Sequence, residues 1–579
     1  MQVEGRRAVA GTTHDHVEAR SARPGVVPPT AEQRRAFLAV ALAAVLLTVA
    51  LVVVLSMLRN DGHLVYAMDD AGIHLSMVRQ LVHHGTWGVS SGTYESASSS
   101  PGWTLLLAGS TAVLPFAANV LPLLLNLVAA VWIVWLFASG QTFVTPRARQ
   151  WLSIALAVFI PAVVLFLPTL AMVGMEHTLH AALVLQALVL LQRLAEGPLQ
   201  VRRARWYLLV LFLATLVRYE TMWIAAGSAL ALLVTAHPRF GPVGAPPRRL
   251  RGAVGLATLS AVACALPIVT YGVINRIAGQ GFFPNSVTAK SALAGNRGLS
   301  IVPNVSQVLG GLQRDPVILL LVLVAAGYLV TSWFGGPRAN VSFAVAFVVA
   351  AALHAGFSEF GYYERYQAYL VIAGTFMALR IGSEVVIPRW HRAALVFLLV
   401  AVVGLTSVKQ GLLVDTPLAT SNTYRQRYQL GRFFEKYYKG KVVGTGELGY
   451  VTYFHDGPVV DLLGLGTHEV LVERRKGPLT KRYLAELVRR RHVAVIGIYT
   501  ETFIFHVPAD WVLVGEWTLK EKLTSAFGPT LQFYAPSKSS ADKLERNLRA
   551  FDPQLPSGVR ATHRNELVRR FLKSVAQTG

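Results

Sequence analysis

The chain has 579 residues, of which 53% are hydrophobic and 15% charged, and its mean hydropathy is +0.46. Soluble domains carry about 25% charged residues, whereas this chain repeatedly contains apolar runs that match the roughly 20 helical residues needed to cross a bilayer. Composition therefore excludes an ordinary soluble protein and predicts a polytopic α-helical membrane protein. The formal charge of +23 is typical of basic cytoplasmic loops beside anionic headgroups, so it indicates the lipid bilayer, not nucleic acid, as the partner.

The N-terminal region predicts a polar tail followed by a membrane helix. Residues 1–35 are polar, basic and rich in Ala, Pro and Gly, which favours a disordered cytoplasmic N-terminus. The apolar run 36–58 is too long and too uninterrupted for the core of a signal peptide, so we expect the first transmembrane helix here, with its N-terminus inside. The lone cysteine, Cys264, excludes an intrachain disulfide and leaves the compartment undecided.

The apolar segments and the basic loops between them predict the membrane topology. The segments lie near 36–58, 103–117, 119–138, 150–172, 177–193, 205–218, 221–236, 252–276, 316–334, 341–357, 367–381 and 392–409. Arginine-bearing loops near 147–149, 202–205, 248–251 and 389–392 are expected on the cytoplasmic side. All four fit only if the chain crosses once between 103 and 138, so 103–117 is expected to be re-entrant or to lie on the surface, unless one loop breaks the charge rule. About eleven transmembrane helices and an outer C-terminus follow.

The chain divides near residue 410, where the apolar segments end. Residues 36–410 are predicted to form the membrane domain, and 411–579 an extracytoplasmic α/β domain in which strands and amphipathic helices alternate. Predicted helices are Tyr424–Tyr438, Leu479–Arg491 and Asp542–Phe551, and predicted strands are Val442–Gly446, Tyr450–His455, Val459–Leu463, Val493–Tyr499, Trp511–Trp517 and Leu531–Ala535. A Gly-Thr-Gly turn at 444–446 resembles the opening of a phosphate-binding loop, but the third glycine is missing and the indication of a nucleotide is weak.

Two adjacent carboxylates follow the first membrane helix. Asp69 and Asp70 lie in the predicted outer loop 59–100, just before a predicted helix Ala71–His84. Neighbouring acids repel one another and resist being ionised together, so their pairing needs an explanation. They form either the N-cap of that helix or a catalytic acid pair, and the residues alone leave both interpretations open.

Further charged motifs lie on the same predicted face of the membrane. They are Glu176 and His177 in a Gly-Met-Glu-His motif, Arg218 and Glu220 in an Arg-Tyr-Glu motif, Asn285 and Lys290 in the loop 277–315, and Arg365 in a Glu-Arg-Tyr motif. Any one of them is more often an interfacial anchor than a site residue. Their convergence on the face that carries the acid pair favours a site.

The ordered motifs resemble a known family. The series comprises Asp-Asp after the first membrane helix, a Ser-rich segment before Trp103, Gly-Met-Glu-His, Arg-Tyr-Glu, Pro-Asn-Ser-Val-Thr-Ala-Lys, Glu-Arg-Tyr and a late Gly-Glu-Leu-Gly-Tyr. Over about residues 60 to 470 it is similar to the GT-C glycosyltransferases of actinobacteria, particularly the terminal arabinofuranosyltransferases that build cell-wall arabinan. Members often have Thr where this chain has His177, and Arg-Pro-Glu-Gly where it has Arg218 to Thr221. These departures concern the identity of the sugar.

The resemblance implies a GT-C-like membrane fold in the plasma membrane that transfers a sugar from a polyprenyl-phosphate donor to a glycan acceptor on the outer face. Such chemistry needs a base for the acceptor hydroxyl and positive charge for the departing phosphate. Asp69 is the expected base, with Asp70 orienting the acceptor or raising the pKa of its neighbour. Lys290, Arg218 and Arg365 are the candidates for the phosphate.

The remaining motif residues are expected to bind the substrates. Glu176, Glu220 and Asn285 are predicted to hydrogen-bond sugar hydroxyls, and His177 is counted with them. His74, one helical turn beyond the acid pair, is expected to orient groups and not to act as the base. A buried ion pair between Arg218 and Glu220 is the alternative for those two residues. Some GT-C enzymes hold a divalent metal at the acid pair; the sequence contains no compact ligand cluster, so a metal stays open.

Two other functional classes remain. A transporter or lipid-sugar flippase also carries intramembrane charges and broken helices, but this chain has no internal repeat and its polar motifs lie at one face, not at the midplane. A membrane-anchored scaffold that binds glycan through its C-terminal domain would leave the acid pair without a role. The transferase is the interpretation that uses all the motifs.

Overall fold

The computed structural model describes residues 30–90, 92–139, 159–197, 199–240, 250–293, 305–384, 410–499 and 507–569. Most of the predicted disordered tail and the last apolar segment, 392–409, lie outside these residues. The first helix begins at Ala31, five residues before the apolar run, because Thr30 and Gln33 form a capping box.

The first part of the chain is helical. Its helices are Ala31–Arg59, Asp70–His84, Pro101–Val113, Leu121–Ser139, Leu167–Val173, His177–Glu196, Val201–Val217, Thr221–Ala236, Leu250–Ile277, Asn285–Leu293, Val305–Arg314, Pro316–Trp333, Val341–Phe357 and Ala368–Glu384. Five of them are long and apolar enough to cross a membrane: Ala31–Arg59, Leu121–Ser139, His177–Glu196, Leu250–Ile277 and Pro316–Trp333. Shorter apolar helices occupy Ile160–Val173, Thr221–Ala236, Val341–Phe357 and Ala368–Gly382.

Burial separates the centre of this helical domain from its lipid-facing rim. In helix His177–Glu196, 72% of the most apolar window is buried, against 22% in Ala31–Arg59 and 28% in Leu250–Ile277. The two rim helices therefore expose apolar side chains that would be unfavourable in water but are soluble in lipid. The central helix begins directly after Glu176, so the fold directs that carboxylate to the middle of one end of the bundle.

The segment predicted to be re-entrant is a short helix. Pro101–Val113 has 13 residues, which correspond to about 20 Å and fall short of the roughly 30 Å hydrocarbon core. A 3₁₀ turn, Pro115–Ala117, separates it from helix Leu121–Ser139. Its length agrees with the expectation that only the second of the two segments spans.

Over residues 410–499 and 507–569, the C-terminal part contains one mixed sheet of six strands in the order β2-β1-β3-β5-β4-β6. The strands are β1 Val443–Thr445, β2 Val459–Asp461, β3 Val495–Ile498, β4 Val512–Leu519, β5 Thr530–Ala535 and β6 Val559–His563. β1 pairs in parallel with β2 and β3, and the remaining pairs are antiparallel. The flanking helices are Gln410–Thr423, Gln429–Tyr437, Gly449–Phe454, His468–Arg474, Lys481–Arg490 and Lys538–Phe551.

The predicted fold class, a polytopic helical membrane protein with a C-terminal α/β domain, is confirmed. The predicted strand Tyr450–His455 is wrong, because residues 450–454 belong to the helix Gly449–Phe454 and His455 is its C-cap. Their Tyr, Val, Thr and Phe side chains are typical of strands. The local preference is overridden by contacts with the acid-pair segment, which are described below. Strand β6 and helix His468–Arg474 were not predicted.

Candidate active site

The acid-pair segment and the C-terminal domain approach each other backbone to backbone. A Cβ added to Gly449 would lie 1.9 Å from the Asp69 carbonyl oxygen, and one added to Gly72 would lie 2.6 Å from the Gly449 carbonyl carbon. Only glycine fits at either position. The two glycines, one in each motif, therefore allow helix Asp70–His84 to pack directly on helix Gly449–Phe454.

This close approach decides what Asp69 binds. Its Oδ2 accepts a hydrogen bond from the Gly449 N–H at 2.7 Å, and its Oδ1 accepts one from the Tyr450 N–H at 3.0 Å. Asp69 thus caps a helix of the other domain, since Leu448 precedes that helix and has no capping side chain. It makes no side-chain cap to its own helix. Only 8% of Asp69 is exposed.

The surroundings of Asp69 act on its acidity in opposite directions. Burial raises the pKa of Asp69, while the Arg427 guanidinium and the two backbone N–H groups oppose that rise. Arg427 is itself buried and donates through Nε to Glu447 Oε2 at 2.9 Å. Two buried carboxylates, Asp69 and Glu447, therefore share one guanidinium. Neither Arg427 nor Glu447 was predicted, although Glu447 lies within the Gly-Glu-Leu-Gly-Tyr motif.

Asp70 faces the membrane domain and has a different partner. Its Oδ2 lies 2.7 Å from Arg365 Nη2, and 22% of the Asp70 side chain is exposed, against 2% for Arg365. Arg365 also donates to Met175 Sδ at 2.9 Å and to the Tyr366 hydroxyl at 3.2 Å. Its Nε is buried and has no hydrogen-bond partner among the described residues. The partly exposed Asp70 carboxylate is thus paired with a buried guanidinium, one N–H of which has no acceptor among the described residues.

The Arg365 segment begins with a strained turn. Tyr362, Tyr363 and Glu364 have φ values of 49°, 66° and 57°, in the left-handed region that costs roughly 1–2 kcal/mol for each non-glycine residue. Strain of this kind persists where the surroundings fix it, often at functional sites. The turn is followed by Arg365, whose guanidinium lies 5.9 Å from the Tyr362 ring centroid and 5.0 Å from that of Tyr366.

Tyr366 joins this ion pair to a second one. Arg218 lies 5.5 Å from the same Tyr366 ring centroid, so the ring contacts two guanidiniums. Arg218 Nη1 donates to Glu176 Oε1 at 2.6 Å, and its Nε donates to Glu220 Oε2 at 3.1 Å. The buried ion pair that the sequence left open for Arg218 and Glu220 is therefore present, and Glu176 belongs to it. His177 Nε2 lies 3.0 Å from the same guanidinium.

His74 extends the network back to the acid-pair helix. Its Nε2 lies 3.5 Å from Glu176 Oε2, and its Nδ1 lies 3.1 Å from the Thr104 hydroxyl. Thr104 in turn lies 3.0 Å from the Ser98 hydroxyl of the Ser-rich segment. Side chains from five separate sequence motifs thus form one connected polar network at the ends of the membrane helices.

The remaining predicted residues lie elsewhere or outside the description. Asn285 contacts His468 Nδ1 at 2.9 Å and Gln280 at 3.2 Å, so it joins the 280s loop to the C-terminal domain and not to the network. The side chain of Lys290 lies outside the described residues. The sequence predicted no role for Tyr366, although this residue belongs to the Glu-Arg-Tyr motif.

A metal site was left open by the sequence. Within the part of the chain that is described, no three or more His, Cys, Asp or Glu side chains are grouped so as to hold an ion. Asp69 and Asp70 turn to different partners, Gly449 and Arg365. The positive charges of the network come from arginine side chains.

Comparisons with known proteins return one partial family match and distant structural neighbours. A family model described as a domain of unknown function (DUF8728) matches residues 419–534, within the C-terminal domain. A search of curated proteins found no match. Among solved structures, apo ArnT from Cupriavidus metallidurans is 12% identical with a TM-score of 0.47, over 86% of this chain and 98% of ArnT.

A second similar structure is the Archaeoglobus fulgidus oligosaccharyltransferase in complex with Zn and sulfate. It is 13% identical with a TM-score of 0.41, over 86% of this chain and 73% of that one. Likenesses this distant decide neither the chemistry nor the substrate. The functional conclusion therefore depends on the site itself.

Proposed function

We propose that this chain is a GT-C-type glycosyltransferase of the plasma membrane. It moves a sugar, with arabinofuranose as the best match by motif, from a polyprenyl-phosphate donor to a cell-envelope glycan. The observation that supports this best is the Asp70–Arg365 pair, 2.7 Å apart, in which a partly exposed carboxylate adjoins a buried cation. The carboxylate can accept the proton of the acceptor hydroxyl, and the guanidinium can bind the donor phosphate.

Asp70 is the base in this proposal, in place of Asp69. A general base must reach the proton that it removes, and 22% of the Asp70 side chain is exposed. Both oxygens of Asp69 already accept backbone N–H groups, so taking a proton would break the cap on helix Gly449–Phe454. Asp69 is then a positioning residue that fixes the chain immediately before the base.

The reaction follows from this assignment. The acceptor hydroxyl oxygen attacks the anomeric carbon of the donor, the bond from that carbon to the phosphate oxygen breaks, and the hydroxyl proton passes to Asp70. Arg365 keeps Asp70 ionised before the step, because a neighbouring cation favours the carboxylate form. Its Nε has no acceptor among the described residues and would donate to a phosphate oxygen that reaches it, and Lys290 is the second candidate for that phosphate.

The other network residues bind the transferred sugar or hold its ligands. Arg218 keeps Glu176 and Glu220 ionised. Glu220, with 18% of its side chain exposed, accepts sugar hydroxyls, whereas the fully buried Glu176 holds Arg218 in place. His74 lies against Glu176 and His177 against Arg218, and the two histidines orient this ion pair. In this proposal Arg218 binds Glu176 and Glu220 and not the donor phosphate, since its Nε and both terminal nitrogens already have partners.

Orientation is part of the proposal. The basic loops favour an active site and C-terminal domain on the outer face, where a lipid-linked donor and an envelope glycan meet. The contact between Gly72 and Gly449 requires the acid pair and the C-terminal domain to lie on the same side of the membrane. The sequence-based topology satisfies that requirement.

Release of polyprenyl phosphate tests the proposed function. The purified full-length chain, in nanodiscs, is incubated with radiolabelled polyprenyl-phosphate arabinofuranose, and with other polyprenyl-phosphate sugars, in the presence of cell-wall glycan. A transferase releases polyprenyl phosphate and labels the glycan, whereas a flippase or a scaffold returns the donor intact. Folded protein that binds a donor and consumes none of them would contradict the proposal.

A further inference from the structure

A concave site lies outside the polar network, where Tyr428 contacts the rings of Tyr450 and Phe454 in helix Gly449–Phe454. It encloses about 500 Å³ and is lined by His63, Tyr424, Tyr428, Gln429, Arg432, Glu435, Lys436, Phe551 and Gln554. This volume is within the range of roughly 300–1,000 Å³ for small-molecule sites. The reaction described above uses none of these residues.

Aromatic rings form one wall of this groove. The ring centroids of His63 and Tyr428 are 5.5 Å apart, and those of Tyr424 and Tyr428 are 5.2 Å apart. The two tyrosines begin and end a π-helical turn, Tyr424–Tyr428, and such turns are frequent at functional sites. The Tyr424 hydroxyl is fixed by Asp61 at 3.1 Å. The result is a rigid aromatic surface with hydrogen-bonding groups around it.

The charges and side-chain types of the groove select among ligands. Arg432 is paired with Glu435. The lining side chains include two cations and one acid, so their formal charge is +1. A phosphate site would need more positive charge than that. The lining described contains no aliphatic side chain, so it offers a poor wall for a lipid tail. Aromatic faces beside amide and charged groups suit a sugar, which has apolar C–H faces and hydroxyl edges.

The groove is joined to the acid pair through a single residue. The Tyr450 N–H donates to Asp69, while the Tyr450 ring lies 5.7 Å from that of Tyr428. Helix Gly449–Phe454 therefore has the acid pair against its first turn and the groove against its aromatic side chains.

We propose that this groove is a binding subsite for a neutral oligosaccharide segment of the acceptor glycan. It holds sugars away from the reacting one, with Tyr428 and His63 stacking on a ring and with Gln429, Gln554 and Lys436 binding hydroxyls. The acceptor role rests on the proposed transferase function. The binding itself does not, so the two can fail independently.

Direct binding tests the subsite without catalysis. The full-length chain in nanodiscs of neutral phosphatidylcholine is titrated with short linear arabinan, galactan and mannan oligosaccharides, observed by saturation-transfer NMR. We expect one of them to bind, and Tyr428→Ala to weaken that binding about threefold to tenfold, the loss of one aromatic stacking contact. Tyr428→Phe should restore it. Tyr483→Ala, on helix Lys481–Arg490 of the same domain, is the matched control and should bind like the wild type.

Three outcomes overturn the inference. Absence of binding by any of these oligosaccharides, or equal binding by wild type and Tyr428→Ala with the same thermal midpoint, excludes a sugar subsite here. Inorganic phosphate and nanodiscs containing phosphatidylglycerol are the competing probes. Binding of either that depends on Lys436, without sugar binding, would make the groove an anion site. If sugar binds while the transfer assay is negative, the groove stands and the transferase proposal fails.

Discussion

The polar network and the domain interface use the same residue types in different ways. At the interface, Asp69 binds the backbone N–H groups of Gly449 and Tyr450; within the C-terminal domain, Asp461 likewise binds those of Leu463 and Gly466, each at 2.8 Å. In the network, Asp70, Glu176 and Glu220 bind arginine side chains instead. A carboxylate bound to backbone stabilises a chain conformation, whereas one bound to a side chain can exchange its partner for a substrate.

The difference shows that the two acids of an Asp-Asp motif can have separate roles. Neighbouring residues at the start of a helix point in different directions, so here one acid faces the C-terminal domain and the other the membrane domain. Asp69 connects two domains and Asp70 meets the cation. The following variants break or sharpen this division, beginning with the largest expected effect.

Asp70→Asn should abolish most turnover. The amide keeps the size of the side chain but cannot take the acceptor proton, and a general base contributes typically ~10²–10⁴-fold. We expect turnover at least about a hundredfold lower with donor affinity nearly intact, measured as release of polyprenyl phosphate.

Asp69→Asn is the matched control for that experiment. It should lower the thermal midpoint, because one N–H of the Gly449–Phe454 helix loses its acceptor at a cost of about 1–3 kcal/mol. Its remaining turnover should exceed that of Asp70→Asn. If Asp69→Asn is the less active of the two at equal folded fraction, the roles are the reverse of those proposed.

Arg365→Met and Lys290→Met should weaken donor binding. A charge-assisted contact contributes roughly 1.5–3 kcal/mol, so the donor KM is expected to rise about tenfold to a hundredfold in at least one variant. Arg380→Met changes an arginine on the helix that follows Arg365, Ala368–Glu384, where it contacts Asn340, and should leave KM unchanged. An unchanged KM in both test variants would mean that other cations bind the phosphate.

Gly449→Ala should separate the acid pair from the C-terminal domain. The new Cβ would lie 1.9 Å from the Asp69 carbonyl oxygen, and overpacking of this kind costs typically about 1–3 kcal/mol. We expect a lower thermal midpoint together with reduced turnover. Gly109→Ala, where no atom lies within 4 Å of the added Cβ, is the control. Full activity of Gly449→Ala would show that the contact does not position the base.

Much of the helical domain could be predicted, because membrane helices are read from long apolar runs that need no knowledge of their neighbours. The convergence of Asp70, His74, Glu176, Arg218 and Arg365 was also accessible, since topology alone assigned them to one face. Most strands of the C-terminal domain were visible for a similar reason: short runs bounded by turn residues. The predictions failed where a distant contact decides the structure.

Two failures show this. The run at 450–455 has the composition of a strand, but the Asp69 cap and the Gly72 contact stabilise a helix there. The partners of the two acids depend on residues almost four hundred positions away in one case and almost three hundred in the other. No local pattern around residue 69 distinguishes a carboxylate that caps a remote helix from one that meets an arginine.

The pH dependence of stability gives the most specific test of the interface. Arg427 serves two buried carboxylates, and burial together with repulsion from Asp69 raises the pKa of Glu447 from its ordinary 4.5 to about 8, against the opposing effect of Arg427. The folded protein then keeps a proton that the unfolded chain releases, so the free energy of unfolding falls as pH rises from about 4.5 to about 8 and levels above it.

Glu447→Gln should remove that slope, because the amide does not titrate. We expect the thermal midpoint of the wild type in detergent to fall by more between about pH 5 and about pH 8 than that of Glu447→Gln. The corresponding change in the free energy of unfolding has a limiting slope of ~1.4 kcal/mol per pH unit, the effect of a single proton. Glu486→Gln, an exposed glutamate on helix Lys481–Arg490, should keep the wild-type slope. If Glu447→Gln and wild type fall in parallel, Arg427 satisfies both carboxylates and no proton is held at the interface.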